Sequence, residues 1–261
     1  MRIALGIEYD GSAFSGWQIQ KGNVPTVQAT LEKALTKLAD EKIFQCQVAG
    51  RTDSGVHATE QVIHFESSVS RSPRSWVLGS NRYLTQQNIS VLWAHPVNND
   101  FHARFSALRR RYRYIILARD IRPTFLKNQV AWYRGTLDLE RMQRAAQFIQ
   151  GEHDFTSYRT VHCQAKSPVK MVYFLNISQR GEYFFIDIEA NSFLHHMVRN
   201  IAGVLLKIGS GEAEPGWAQE VLAAEDRSKG GKTAPPEGLY LTNVTYDKKF
   251  NLPIIDSATI I

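Results

Sequence analysis

Arg2-Ile3-Ala4-Leu5-Gly6-Ile7-Glu8-Tyr9-Asp10-Gly11 is the stretch from which the fold is read. Ile3, Leu5, Ile7 and Tyr9 alternate with Arg2, Ala4, Gly6 and Glu8, a period of two that predicts a strand, and Asp10-Gly11 closes it with a turn. From Val27 the period changes. Val27, Leu31, Leu35 and Leu38 share one helical face, with Thr26 placed to cap it and Pro25 just outside. Phe44, Cys46 and Val48 then alternate with glutamines as a second strand. Residues 61–66 read as a third strand, 73 to about 84 as a helix, and 89–97 as a fourth strand with Val91 and Trp93 on one face. Strand, helix, strand, strand, helix, strand is the ferredoxin-like order, in which antiparallel strands form one sheet and both helices cover one face.

The second half repeats this order with longer insertions. Residues 112–117 and 129–133 read as strands, and a helix follows from Asp138 with Leu139, Met142, Ala146 and Ile149 inward. Val169, Met171, Tyr173, Leu175 and Ile177 alternate, Arg180-Gly181 turns, and Phe184, Ile186 and Ile188 alternate on the return, which predicts a hairpin. Phe193, Met197, Ile201, Leu205 and Ile208 fall at helical spacing up to Gly209, and Trp217, Val221 and Leu222 suggest a shorter helix. The run 228–237, with Gly230, Gly231, Pro235 and Pro236, reads as a flexible loop before a last strand at 239–245. The expected class is α+β: two pseudo-repeated ferredoxin-like halves with mainly antiparallel sheets, residues 1–106 and 107–261.

The 261 residues carry a formal charge of +6 and are 43% hydrophobic, enough apolar matter for one large core or two small ones, which excludes wholesale disorder. Cys46 and Cys163 are the only cysteines and belong to no C-x-x-C pair, so neither a disulfide framework nor a cysteine zinc site is expected. The apolar start is too short for a secretory signal, and no run nears ~18 apolar residues, so a cytoplasmic protein without a membrane span is expected.

The positive charge is concentrated. Seven arginines, at 104, 109, 110, 111, 113, 119 and 122, lie between His102 and Arg122, where Asp120 is the one acid. Within Arg109-Arg110-Arg111-Tyr112-Arg113-Tyr114 a strand sends Arg111 and Arg113 to one face and Tyr112 and Tyr114 to the other. Guanidinium groups on one face suit phosphates, and a tyrosine on the other suits stacking on a base. A solvated edge strand protected by its charges is the alternative. Gly50-Arg51-Thr52-Asp53-Ser54-Gly55-Val56-His57 holds an acid between glycines. Asp53 there suits a nucleophile, a base or a salt-bridge partner, and equally a loop aspartate bonding its own backbone. The eight histidines include no H-x-H or H-x-x-x-H pair, so no metal site is expected.

Seven segments in order carry a resemblance: Tyr9-Asp10-Gly11, Gly16-Trp17-Gln18, Gly50 to His57 as quoted, Asp100-Phe101-His102-Ala103-Arg104-Phe105-Ser106, Arg110-Arg111-Tyr112-Arg113-Tyr114, His195-His196-Met197-Val198-Arg199-Asn200 and Glu237-Gly238-Leu239-Tyr240-Leu241. Together they resemble the TruA family of tRNA pseudouridine synthases over nearly the whole chain. The sequence departs from the usual pattern at Ser54, Glu60 and Thr85. The resemblance implies an isomerase that turns uridine into pseudouridine at tRNA positions 38 to 40, without a cofactor, as a homodimer whose active-site clefts lie between the two halves of each chain. It implies Asp53 as nucleophile, Tyr112 as the tyrosine that stacks on the base and takes the C5 proton, and Arg199 as the cation paired with the aspartate. It further implies Arg51 filling the place of the flipped nucleotide and Leu239 flooring the pocket. Arg111 and Arg113 remain the expected phosphate contacts. A catalytically silent RNA-binding protein with the same basic surface, and a histidine-based metal hydrolase, are the competing classes.

Overall fold

The structure is a computed structural model that describes residues 1–43, 45–160, 163 and 165–255. Phe44, part of the expected second strand, lies outside the described residues. The chain divides into two compact units, Met1–Leu108 together with the stretch from Tyr240 onward, and Arg109–Leu239.

The first unit follows the order read from the sequence: β1 (Arg2–Tyr9), α1 (Val27–Ala39), β2 (Gln47–Val48), β3 (His57–Glu66), α2 (Pro73–Leu84) and β4 (Ile89–Val97). β1 is central, antiparallel to both β3 and β4, and the short β2 pairs antiparallel with the outer edge of β3. This is the ferredoxin-like strand arrangement. Thr26 caps α1 through Oγ1, which accepts from the Ala29 amide at 3.3 Å, and Ser72 caps α2 with Pro73 at its first position. The two helices pack on each other and α2 packs on β4, so Leu31, Leu35 and Trp76 are buried with Ile3, Leu5, Ile7 and Ile63.

The second unit contains β5 (Ala107–Ala118), β6 (Ala131–Tyr133), α3 (Leu139–Ile149), β7 (Gly151–Asp154), β8 (Val169–Arg180), β9 (Tyr183–Ala190), α4 (Met197–Gly209) and α5 (Trp217–Ala224), and is followed by β10 (Leu239–Tyr246). Its strands run in the order β5-β9-β8-β7, antiparallel throughout, with β6 parallel on β5. The hairpin of β8 and β9 turns at Gly181, whose φ of 60° suits a residue without a side chain. Asp138, from which the helix is expected to follow, caps α3, accepting from the Arg141 amide at 3.0 Å. Met142 and Ile149 of α3 join Ile201 and Leu205 of α4 and Ile186 and Ile188 of β9 in the core. Chain order counts β10 with the second half, whereas its residues from Tyr240 belong with the first unit: Tyr240 and Leu241 pair in parallel with His57 and Ala58 at the start of β3.

Candidate active site

Asp53 sits in the loop between β2 and β3, half-buried, beside the exposed Arg51. The loop is fastened from behind by the segment that follows β1. The Trp17 amide donates to the Thr52 carbonyl at 3.0 Å, the Gly55 amide to the Phe14 carbonyl at 3.4 Å, and the Val56 amide closes a turn on the Asp53 carbonyl at 3.2 Å. Two glycines allow this approach. A Cβ on Gly11 would stand 2.0 Å from the Val56 carbonyl oxygen, and one on Gly16, at φ +89°, would stand 2.9 Å from that of Thr52. Tyr9-Asp10-Gly11 and Gly16-Trp17-Gln18, far from Asp53 in sequence, are thus the backing of its loop. His57, at the start of β3, accepts the Gly11 amide on Nδ1 at 3.0 Å and stacks on Tyr240 with ring centres 4.6 Å apart. That bond and that stack anchor the loop's far end to the sheet.

In the second unit β5 behaves as the alternation required. Arg110, Tyr112 and Tyr114 are buried, while Arg109, Arg111 and Arg113 lie on the opposite, more exposed face. On that outer face each guanidinium covers an aromatic ring: Arg109 over Tyr173 at 4.1 Å, Arg111 over Phe174 at 4.8 Å and Arg113 over Phe185 at 5.3 Å. Arg113 is further committed. Its Nε and Nη2 donate to the two carboxylate oxygens of Asp187 at 2.9 and 3.0 Å, directly across the strand pair. Arg109 pairs with Glu189 at 3.0 Å. The phosphate surface expected of Arg111 and Arg113 is therefore on the other side of β5 from Tyr112, and one of its two members already holds an acid. Arg113→Ala should destabilise the protein by about 2–4 kcal/mol, because it leaves the Asp187 carboxylate, 9% exposed, without its cation. Urea denaturation of the variant measures this.

Tyr112 is 8% exposed and its ring meets that of Phe193 edge-on at 5.0 Å. Helical spacing from Phe193 predicts a helix that includes it. The helix instead begins at Met197, since His196 takes the left-handed conformation at φ +63° immediately before it. Backbone of that kind costs energy in a residue other than glycine and concentrates at functional sites. Arg199 lies in the first turn of α4, half-buried, and its Nε donates to the Ala234 carbonyl at 2.8 Å while the Ala234 amide returns a bond to the Arg199 carbonyl at 3.1 Å.

The loop read as flexible is thereby held. Asn200 accepts on Oδ1 from Thr233 at 2.7 Å and from Arg227 at 3.1 Å, and donates to the Tyr158 carbonyl at 2.7 Å. A Cβ on Gly203 would lie 1.8 Å from the Lys232 carbonyl oxygen, so the loop rests directly on α4. Its far end is tied to β5. The Tyr114 hydroxyl donates to the Pro235 carbonyl at 2.8 Å, and burial, reinforced by the charge of Glu237, pushes that phenol far up. Gly238 approaches the Ile115 carbonyl so closely that a Cβ would stand 2.6 Å from it, and this seats Leu239, which is buried, at the start of β10. Asn200, Arg227 and Thr233 were not singled out from sequence. One signal was available: a polar residue at 200, between Met197 and Ile201 on a helix otherwise buried by apolar residues.

Arg51 and Asp53 thus share one loop of the first unit. Arg111, Tyr112 and Arg113 share one strand of the second, with Arg199 on α4 and Leu239 at the end of its fixed loop. A carboxylate on a fastened loop, a packed phenol and an oriented guanidinium are groups able to serve nucleophilic, proton-transfer and charge-stabilising roles.

Comparison with known proteins places these residues in a family. The profile described as tRNA pseudouridine synthase matches residues 6–106 and 145–247. The chain is 56% identical over 253 residues to "tRNA pseudouridine synthase A" of Nitrosococcus oceani, covering 97% of this chain and 96% of that relative. Its identity is 50% to the protein of the same name from Alcanivorax borkumensis over 97% of this chain and 94% of the relative, and 53% to that from Shewanella amazonensis over 97% and 96%. The order of the seven motif segments and these full-length similarities agree, and the chain belongs to the tRNA pseudouridine synthases, isomerases that act on uridine in tRNA.

Proposed function

We propose that this protein converts uridine to pseudouridine at positions 38 to 40 in the anticodon arm of tRNA, with Asp53 as nucleophile and no cofactor. The observation that carries the reading is the seat of Asp53, half-buried at the centre of a loop whose neighbours on both sides are tied down by backbone bonds and two close glycine contacts. Preorganisation of this kind is what a displacement at a sugar carbon requires.

In the reaction the N1–C1′ bond breaks, the uracil turns, and C5 bonds to C1′. The C5 proton leaves and N1 gains one, so no redox partner is needed. The carboxylate of Asp53 suits each route to this exchange: attack on C1′, addition to C6, or support of an elimination. Tyr112 stacks on the base and accepts the C5 proton, and Arg199 serves as the cation paired with the nucleophile. Arg51, exposed on the same loop as Asp53, fills the space that the flipped nucleotide vacates, and Leu239 supplies the apolar floor. Extruding the uridine costs a few kcal/mol, which contacts to the RNA backbone offset. Arg111 contributes to those contacts from the outer face of β5. Arg113, bound to Asp187, supports the strand and adds its charge there.

The protein works as a homodimer in the cytoplasm. Ile121 and Phe125 are 73% and 98% exposed between β5 and β6, apolar surface that a second subunit would cover. Among the described residues no helix is long and apolar enough to cross a membrane. Mapping pseudouridine by carbodiimide labelling and primer extension in unmodified tRNA treated with the protein tests the assignment. Label at positions 38 to 40 is expected, and label confined to other arms contradicts it.

A further inference from the structure

We infer that Tyr9, Thr52 and Gln61 are positioning residues for the nucleophile, a buried chain of side chains that fixes where residue 53 stands without touching substrate. The inference rests on the reading of Asp53 given above and adds three residues to it.

The backbone bonds from residues 14–17 hold the loop on one side only. On the side facing the sheet, the link is made by side chains. The Tyr9 hydroxyl lies 2.8 Å from Thr52 Oγ1, and Gln61 Nε2 donates to the Gly50 carbonyl at 2.7 Å while lying 3.4 Å from the Tyr9 hydroxyl. The two contacts fall on Gly50 and Thr52, so the chain grips the loop immediately before Asp53. All three side chains belong to buried residues. Burial pushes the Tyr9 phenol up to about 12, so its proton stays in place across the working range of pH and the chain does not loosen by titration.

The strands are shaped for this contact. β1 and β3 pair regularly from Arg2 opposite Glu66 to Ile7 opposite Gln61, and then the register shifts so that Tyr9 faces Ala58. A bulge of this kind re-aims a side chain. Here it brings the end of Tyr9 to Thr52. Gln61 carries a second sign of function, for its Oε1 is buried with no partner among the described residues. An apolar residue of similar size would serve the core better. The cost of leaving half of this amide unsatisfied is offset by what its other half holds. What it holds is the carbonyl three residues before the nucleophile.

Tyr9→Phe and Thr52→Val both remove the 2.8 Å bond and keep the shape of the side chain, and Tyr9→Phe also removes the 3.4 Å contact with Gln61. Each is expected to lower kcat for isomerisation ~10- to 100-fold by displacing the loop, with KM for tRNA nearly unchanged and the thermal midpoint lowered by only a few degrees through the orphaned buried hydroxyl. The double variant should be no slower than Tyr9→Phe, because the bond that Thr52→Val removes is already lost there. Thr52→Ser, which keeps the hydroxyl, should restore kcat. A wild-type kcat in Tyr9→Phe, a change in KM in place of kcat, or multiplicative losses in the double variant would overturn the inference. Amide exchange at residues 50–56, which needs no turnover, separates this outcome from failure of the nucleophile reading. Faster exchange there in Tyr9→Phe supports the clamp and unchanged exchange refutes it, whereas an Asp53→Asn protein that isomerises like wild type refutes only the role given to Asp53.

Discussion

Tyr112→Phe is expected to slow isomerisation about 10²- to 10⁴-fold while tRNA affinity stays within about threefold. The ring of Tyr112 meets that of Phe193 nearly perpendicular with centres 5.0 Å apart, and in the proposed reaction its face stacks on the base; phenylalanine keeps both. Only the hydroxyl is lost. If that oxygen receives the C5 proton, the variant should bind tRNA, flip the uridine and then stall before C5 loses its hydrogen. Filter binding and single-turnover tritium release from C5-labelled tRNA separate the two quantities. Wild-type release by Tyr112→Phe would move the proton to another acceptor and leave Tyr112 as a stacking platform alone. A matched loss of binding and rate would instead make the hydroxyl a binding group.

Much of the fold was legible because its elements are long and carry a clear period. The N-terminal strand, the helix at Pro73–Leu84, the hairpin of β8 and β9 and the cap at Thr26 follow from alternation, helical spacing and local capping chemistry. Where polar residues interrupt the pattern, the reading fell short. β3 starts at His57 and not near Gln61, since Glu60 is buried against the Asn243 amide at 2.9 Å and Gln61 against the Gly50 carbonyl. Nothing in the local sequence announces those distant partners. The same holds for residues 228–237, whose glycines and prolines signal a loop correctly but say nothing of the bonds from Asn200 that hold it. A glycine can mark flexibility or close approach, and at Gly231 the backbone of Gly203 lies about as near as packing allows, with a Cβ 3.0 Å from its carbonyl.

The candidate site was legible in a different way. Alternation alone put Arg111 and Arg113 opposite Tyr112, and the structure has them so. What sequence could not supply was Asp187, seventy-four residues away from Arg113, which turns one expected phosphate ligand into half of an ion pair. Asp53 read in isolation was a loop aspartate like many others. Its distinction comes from Gly11, Gly16, Trp17 and Tyr9, which are distant in sequence and meet around it in the fold.

The central claim is that a carboxylate at position 53 performs the exchange. Asn has nearly the same shape as Asp, accepts and donates hydrogen bonds, and leaves the loop intact, but it cannot form the ester or carry the charge. The direct measurement is tritium release from C5-labelled uridine in unmodified tRNA by the wild-type protein and by Asp53→Asn, with enzyme in excess. The account predicts full release by wild type and a loss of at least about 10⁴-fold for Asp53→Asn at unchanged tRNA affinity, the scale on which removal of a nucleophile acts. Equal release by the two proteins, or none by wild type, would contradict it.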